Sequence, residues 1–136
     1  MHLLSSEKVE NILSPAEIIE AVKTGVTNYA SGIYKVPTRI HLEAEGITNL
    51  VMPAMGEKYF CTKLVSIVPG NSNKKLPVIL GSVILSKTET GETIAMMDAP
   101  MITALRTGAV GALGLDLISP KSTKKIGVIG LGVQGI

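Results

Sequence analysis

The pattern of apolar and polar positions divides the chain into a helical start, a strand-rich middle and a long helix. Ser5 or Ser6 caps a first short helix running through Val9 and Leu13. Ser14-Pro15-Ala16-Glu17 then forms a capping box with proline at the first helical position. Ile18, Ile19, Val22 and Val26 follow at the spacing of one helix face, and Gly32 is the expected stop. From Val36 the period shortens to two. Thr38, Ile40 and Leu42 alternate with Arg39, His41 and Glu43. Further strands are expected over 49–55, 59–68, 78–85 and 93–97. A loop lies at 69–75, and a hairpin turn at Glu89-Thr90-Gly91-Glu92.

Asp98 caps the next helix, whose body extends from Met101 to about Leu117. Gly108, Gly111 and Gly114 recur within it. Each costs about 1 kcal/mol relative to alanine in a helix interior. Either a backbone or ligand approaches there closely, or the helix is simply weak. Ser119-Pro120-Lys121-Ser122 is a polar break and marks a domain boundary. Lys124 to Ile129 follows as a short buried-strand pattern. The pattern predicts an α+β domain over 1–118, with helices packed on a mostly antiparallel sheet, and the beginning of an α/β domain over 119–136.

Composition narrows the class. Hydrophobic residues make up 46% and charged residues 18%, which fits a globular chain. One Phe, three Tyr and no Trp leave the core to aliphatic residues. The net charge of +2, without a basic run interleaved with aromatics, argues against a nucleic-acid partner. The apolar stretches are broken by Gly, Thr, Asp or Lys before 18 residues, which argues against a membrane span. Met1 to Lys8 lacks the pattern of a signal peptide. The single Cys61 excludes an internal disulfide and fits a reducing cytoplasm.

Gly130-Leu131-Gly132-Val133-Gln134-Gly135 matches G-x-G-x-x-G directly after the last strand pattern. The first glycine permits a tight turn, the second admits a pyrophosphate, and the third lets a helix pack on the strand. Strand, loop and preceding domain break together predict the opening of a Rossmann unit. No helix or second strand follows before Ile136, so the expectation is a fragment or a truncated product. The alternative is that Gly130 to Gly135 is a frayed tail.

Three basic residues are candidates for chemistry. Arg39, on an alternating strand, reads first as a solvated-face residue. Lys63 interrupts an apolar strand, and its structural and functional readings stand level. Arg106, in a helix of small and apolar residues, needs either a buried acid or an anionic ligand. His41 reads as surface or supporting, Cys61 as core packing, and Met96 and Met97 as core. No metal site is expected.

The residues resemble the ornithine cyclodeaminase/mu-crystallin family, which includes archaeal-type alanine dehydrogenases and ketimine reductases. The blocks that carry the resemblance, in order, are Pro37-Thr38-Arg39, Met52-Pro53-Ala54, Thr62-Lys63-Leu64-Val65-Ser66 and Pro69-Gly70-Asn71. Leu76-Pro77-Val78 with Gly81, Thr90-Gly91-Glu92 and Met97-Asp98 follow, then Thr103-Ala104-Leu105-Arg106-Thr107-Gly108-Ala109 and the terminal glycine loop. It covers the chain from about residue 1 to the end. It implies that Arg39, Met52, Lys63 and Arg106 bind substrate, with Lys63 also catalytic. It further implies that Thr107, Gly130, Gly132, Gln134 and Gly135 contact the cofactor, NAD or NADP. The implied substrate is a small amino or imino acid. Implied reactions are L-ornithine to L-proline plus ammonia, or alanine dehydrogenase or ketimine reductase chemistry. A homodimer is also implied. The alternative within the family is a non-catalytic, mu-crystallin-like binding or pairing module, and the 136 residues in isolation are expected to be inactive. Cys61 and Ala99 stand where the family commonly has glycine. The family's later acidic residue, which moves a proton at the substrate amine, has no counterpart in this sequence.

Overall fold

A computed structural model describes residues 1–130 and 132–134. Its centre is a six-stranded sheet. The strands are β1 (His2–Leu4), β2 (Ile40–Ala44), β3 (Ile47–Met55), β4 (Tyr59–Ile67), β5 (Ile79–Lys87) and β6 (Thr93–Asp98), in spatial order β1-β6-β5-β4-β3-β2. Strands β2 to β6 form an antiparallel meander, whereas β1 pairs parallel to β6. Three residues are too few to show a period, so β1 has no signature in the hydrophobic pattern. The expected α+β architecture, helices on a mostly antiparallel sheet, is what the chain adopts.

Helix α1 spans Ser6–Glu10, and its cap is Ser5, whose hydroxyl accepts from the Lys8 amide. It stops at Glu10, short of the expected Leu13. The Asn11 side chain closes it by donating to the Glu7 carbonyl at 2.8 Å. Helix α2 (Pro15–Ala30) begins with the predicted capping box. The Glu17 carboxylate accepts from the Ser14 amide at 2.8 Å, and these bonds hold it below the usual carboxylate range. Strand β2 begins at Ile40 rather than near Val36. Pro37 lacks the N–H that a ladder needs, and Lys35 instead makes an isolated bridge to Met55. The 69–75 loop is largely a 3-10 turn over Pro69–Lys74. The buried Asn71 ties it down by donating to the Pro77 carbonyl at 2.9 Å.

Helix α3 (Ala99–Ile118) lies over β4, β5 and β6 and packs against α1 and α2. Its 20 residues, with Arg106 and Asp116 as the charged ones, are long and apolar enough to cross a membrane. Sequence reading had no such stretch in view, because glycines and single charges break it locally. In the structure the helix covers one face of the sheet, with 11% of that stretch buried. Among the three recurring glycines, only Gly108 meets a neighbour: an added Cβ would lie 3.8 Å from the Gln134 carbonyl. At Gly111 and Gly114 it would meet nothing within 4 Å, so among the described residues the expected close approach does not occur there.

Register separates the two faces of the sheet. Leu50, Val83 and Ala95 point towards α3 and are buried. Leu3, Ile40, Leu42, Leu64, Leu80 and Met96 share the opposite face and are all exposed.

The strand expected over Lys124 to Ile129 does not form. The segment makes no ladder, and Ile126, Val128 and Ile129 are exposed. A parallel strand buried on both faces is stable only between neighbours that pair with it, and none of the described strands lies beside it.

Candidate substrate site

The site begins as one row across the helix-covered face of the sheet. Met52 of β3 pairs with Lys63 of β4, Lys63 with Val83 of β5, and Val83 with Met97 of β6. Side chains alternate along a strand, so these four emerge on one face. Arg39 immediately precedes β2, whose first pair is Ile40 with Val51. One further step in that register sets Arg39 beside Met52, at the end of the row. Its parity with His41 therefore faces the helices, while the apolar Ile40 and Leu42 face outwards.

Helix α3 supplies the cover. Lys63 Nζ donates to Thr103 Oγ1 at 3.3 Å. Arg106 and Thr107 follow Thr103 by three and four residues, so they stand one turn further along the same side. The Thr107 hydroxyl donates to the Thr103 carbonyl at 2.6 Å. Thr103 escaped sequence reading as a site residue, although its helical spacing to Arg106 and Thr107 was visible.

Lys63 is half-buried, and its ammonium is held below the ordinary lysine value of 10.5. Burial is the main cause, followed by the positive charges of Arg106 and Arg39; the Cys61 thiol acts in the opposite direction. Lys63 therefore sits in the field of two exposed arginines. An anion beside a half-buried cation favours its charged form. Among the described residues, the ion pairs are Lys23–Glu20, Lys87–Glu92 and Lys121–Asp116, none of them in this cluster. The sequence pattern asks for a buried acid or an anionic ligand at Arg106; the structure instead leaves Arg106 exposed to water, with no described carboxylate within ion-pairing reach.

Cys61 lies on the same face, two residues before Lys63. Burial pushes its thiol up, and Lys63 pulls it part of the way back. Met52 is half-buried beside Lys63, as a pocket-lining residue would be. Among the described residues no group of three or more His, Cys, Asp or Glu is placed to hold a metal ion.

The glycine loop lies against this cover. Gly130 has a φ of 91°, a left-handed conformation that favours glycine. The Gln134 carbonyl comes up to Gly108, the residue after Thr107. Of the residues expected to contact the cofactor, Gln134 thus lies near the middle of α3, next to the residue that follows Thr107, whereas Gly135 lies outside the described residues.

The ornithine cyclodeaminase/mu-crystallin family profile matches residues 1–136. The chain belongs to that family. Among its relatives, alanine dehydrogenase of Archaeoglobus fulgidus is 37% identical over 132 residues, covering 97% of this chain and 41% of the relative. An archaeal alanine dehydrogenase dimer with bound NAD superposes with a TM-score of 0.91 at 36% identity, over 98% of this chain and 42% of that one. The Thermococcus litoralis Δ1-pyrroline-2-carboxylate reductase, solved with NADH and L-proline, gives 0.87 at 36% identity, over 98% and 43%. The chain thus spans about two fifths of the length of the family members it matches.

Proposed function

We propose that this chain forms the substrate-binding part of an NAD(P)-dependent enzyme that oxidises or reduces the carbon–nitrogen bond of an α-amino or α-imino acid. The observation that carries the reading is the nearness of Arg39 and Arg106 to Lys63, with no ion pair to any of them among the described residues. A substrate carboxylate completes that cluster. The arginines offer planar forks for two-point binding. Lys63 holds the remaining oxygen or the substrate nitrogen, and its depressed pKa suits it to pass a proton at that nitrogen. Thr103 fixes the lysine's direction, and Met52 closes one side against water.

The residues present fit a dinucleotide. Gly130 adopts the turn that such a loop needs, and nothing lies within 4 Å of where a Cβ on Gly132 would be, which leaves its backbone open to a pyrophosphate. Gln134 of this loop approaches Gly108, the residue after Thr107, which supports a shared phosphate contact. When bound, the nicotinamide supplies or accepts the hydride at the substrate α-carbon. The task of this chain is to anchor the carboxylate so that the α-carbon is held in one place.

The uncovered sheet face of Leu3, Ile40, Leu42, Leu64, Leu80 and Met96 supports pairing with a second copy. The enzyme is read as a soluble, cytoplasmic homodimer, with ornithine, alanine and cyclic imines as the reactions to try. The test is turnover of L-alanine, L-ornithine and Δ1-pyrroline-2-carboxylate by the full-length protein, followed by NAD(P)H absorbance. Turnover of any of them that depends on Arg106 supports the proposal. No turnover of the whole panel refutes it.

A further inference from the structure

A cavity of about 430 Å³ opens beside the cationic row. Its floor is the next row of the same face. Ala54 pairs with Cys61, and Cys61 with Leu85. Each lies two residues along its strand from Met52, Lys63 or Val83, about 7 Å away. Ile33 and Tyr34, from the segment after α2, form another wall. The lining charges, Glu57 and Lys58, are adjacent and opposite, so the cavity has no net charge.

Cys61 belongs to both places. It lines the cavity, and its thiol is close enough to Lys63 for each to shift the other's protonation. A carboxylate on Arg39, Lys63 and Arg106 therefore lies one row from a cavity whose lining charges cancel, with Cys61 between them. The row on the other side of Lys63 offers less room, because Leu50 is already buried there. The volume falls in the range of small-molecule pockets, about 300–1,000 Å³.

We propose that this cavity receives the substrate's side chain, that the side chain is apolar and of leucine to phenylalanine size, and that Cys61 sets the length it accepts. The assignment rests on the carboxylate-binding reading of the three cations. Ala54, Cys61, Leu85 and Ile33 give it an apolar surface, and its two lining charges, Glu57 and Lys58, cancel. Alanine leaves it empty.

Cys61 is the single cysteine of this chain, so its alkylation by iodoacetamide, read by peptide mass at alkaline pH, reports occupancy. L-Leucine and L-alanine are compared as protecting ligands on the wild-type protein and on Arg106→Met. At about ten times its dissociation constant leucine slows labelling about tenfold, and alanine slows it less than about twofold. Arg106→Met abolishes the leucine effect. In the full-length enzyme, Cys61→Met lowers kcat/KM for leucine about tenfold more than for alanine. Equal protection by the two amino acids, or none, overturns the subsite. Leucine protection that survives Arg106→Met also overturns it, by showing that the cavity fills without the anchor. Turnover of amino acids without size-dependent protection refutes the subsite alone and leaves the proposed function standing.

Discussion

Replacing Gly81 by alanine puts a methyl group where the backbone of β4 already is. The added Cβ overlaps the Leu64 carbonyl oxygen and lies 3.1 Å from the Val65 Cα. Neither is the end of a flexible side chain, so the methyl is accommodated only if β5 moves away from β4. Overpacking of this kind costs about 1–3 kcal/mol. Weakening one ladder bond, such as those around the Val65–Gly81 pair, adds about 0.5–1.5 kcal/mol. Alanine also restricts the unfolded chain, which offsets about 0.4–1 kcal/mol. The net loss is about 0.5–4 kcal/mol. Gly111→Ala is the control. It is exposed within α3, and an added Cβ meets nothing within 4 Å, so only the favourable part remains, about 0.5–1 kcal/mol of gain. Urea denaturation of this chain measures both. With a slope of about 1.5 kcal/mol per molar, the midpoint falls by about 0.3–2.7 M for Gly81→Ala and rises by about 0.3–0.7 M for Gly111→Ala. A Gly81→Ala protein as stable as the wild type, or two variants shifting the same way, refutes the close approach of β4 and β5.

Arg106→Met removes a fork from the carboxylate while keeping most of the side chain's bulk. It should lower kcat/KM of the full-length enzyme by about 30- to 900-fold, equivalent to about 2–4 kcal/mol; a change under about threefold would place the carboxylate elsewhere. Lys63 binds its proton less tightly when folded than when unfolded, so stability should rise with pH from its lowered folded value up to the ordinary 10.5. Lys63→Met should lack that rise, and parallel pH–stability curves for the two proteins would contradict the argument. Ser14→Ala, which removes the α2 cap, should cost about 1 kcal/mol by thermal melting; no shift in the melting temperature would mean that the cap is redundant with packing against α3.

Local features were legible in the sequence because their energetics lie within a few neighbouring residues. Ser14, Pro15 and Glu17 specify the start of α2 by their own side chains. The Thr90-Gly91 turn and the Asp98 cap are equally local. The types of the site residues were also legible: Arg106 in an otherwise small and apolar helix called for an anion before any geometry was known. The family was identified from motif blocks, and the profile match covers the same residues.

Other features depend on pairing between segments distant in the chain. A strand's alternation gives two faces but does not say which one meets a helix. Arg39 is exposed, as its strand pattern predicts, but register turns Ile40 and Leu42 to the other face and brings Arg39 into line with Met52 and Lys63. The parallel pairing of His2–Leu4 with β6, 93 residues away for His2 and Ala95, leaves no period in three residues. Gly81 needs its missing side chain only because Leu64 crosses beside it. Lys124 to Ile129 shows the converse. Its apolar pattern predicts a strand that does not form, because a pattern supplies only the propensity to pair, and pairing needs a neighbouring strand. The sequence by itself determined caps, turns and the kinds of chemistry available; tertiary structure decided which faces were covered and which three cations met, because register and packing are set by contacts that no short window contains.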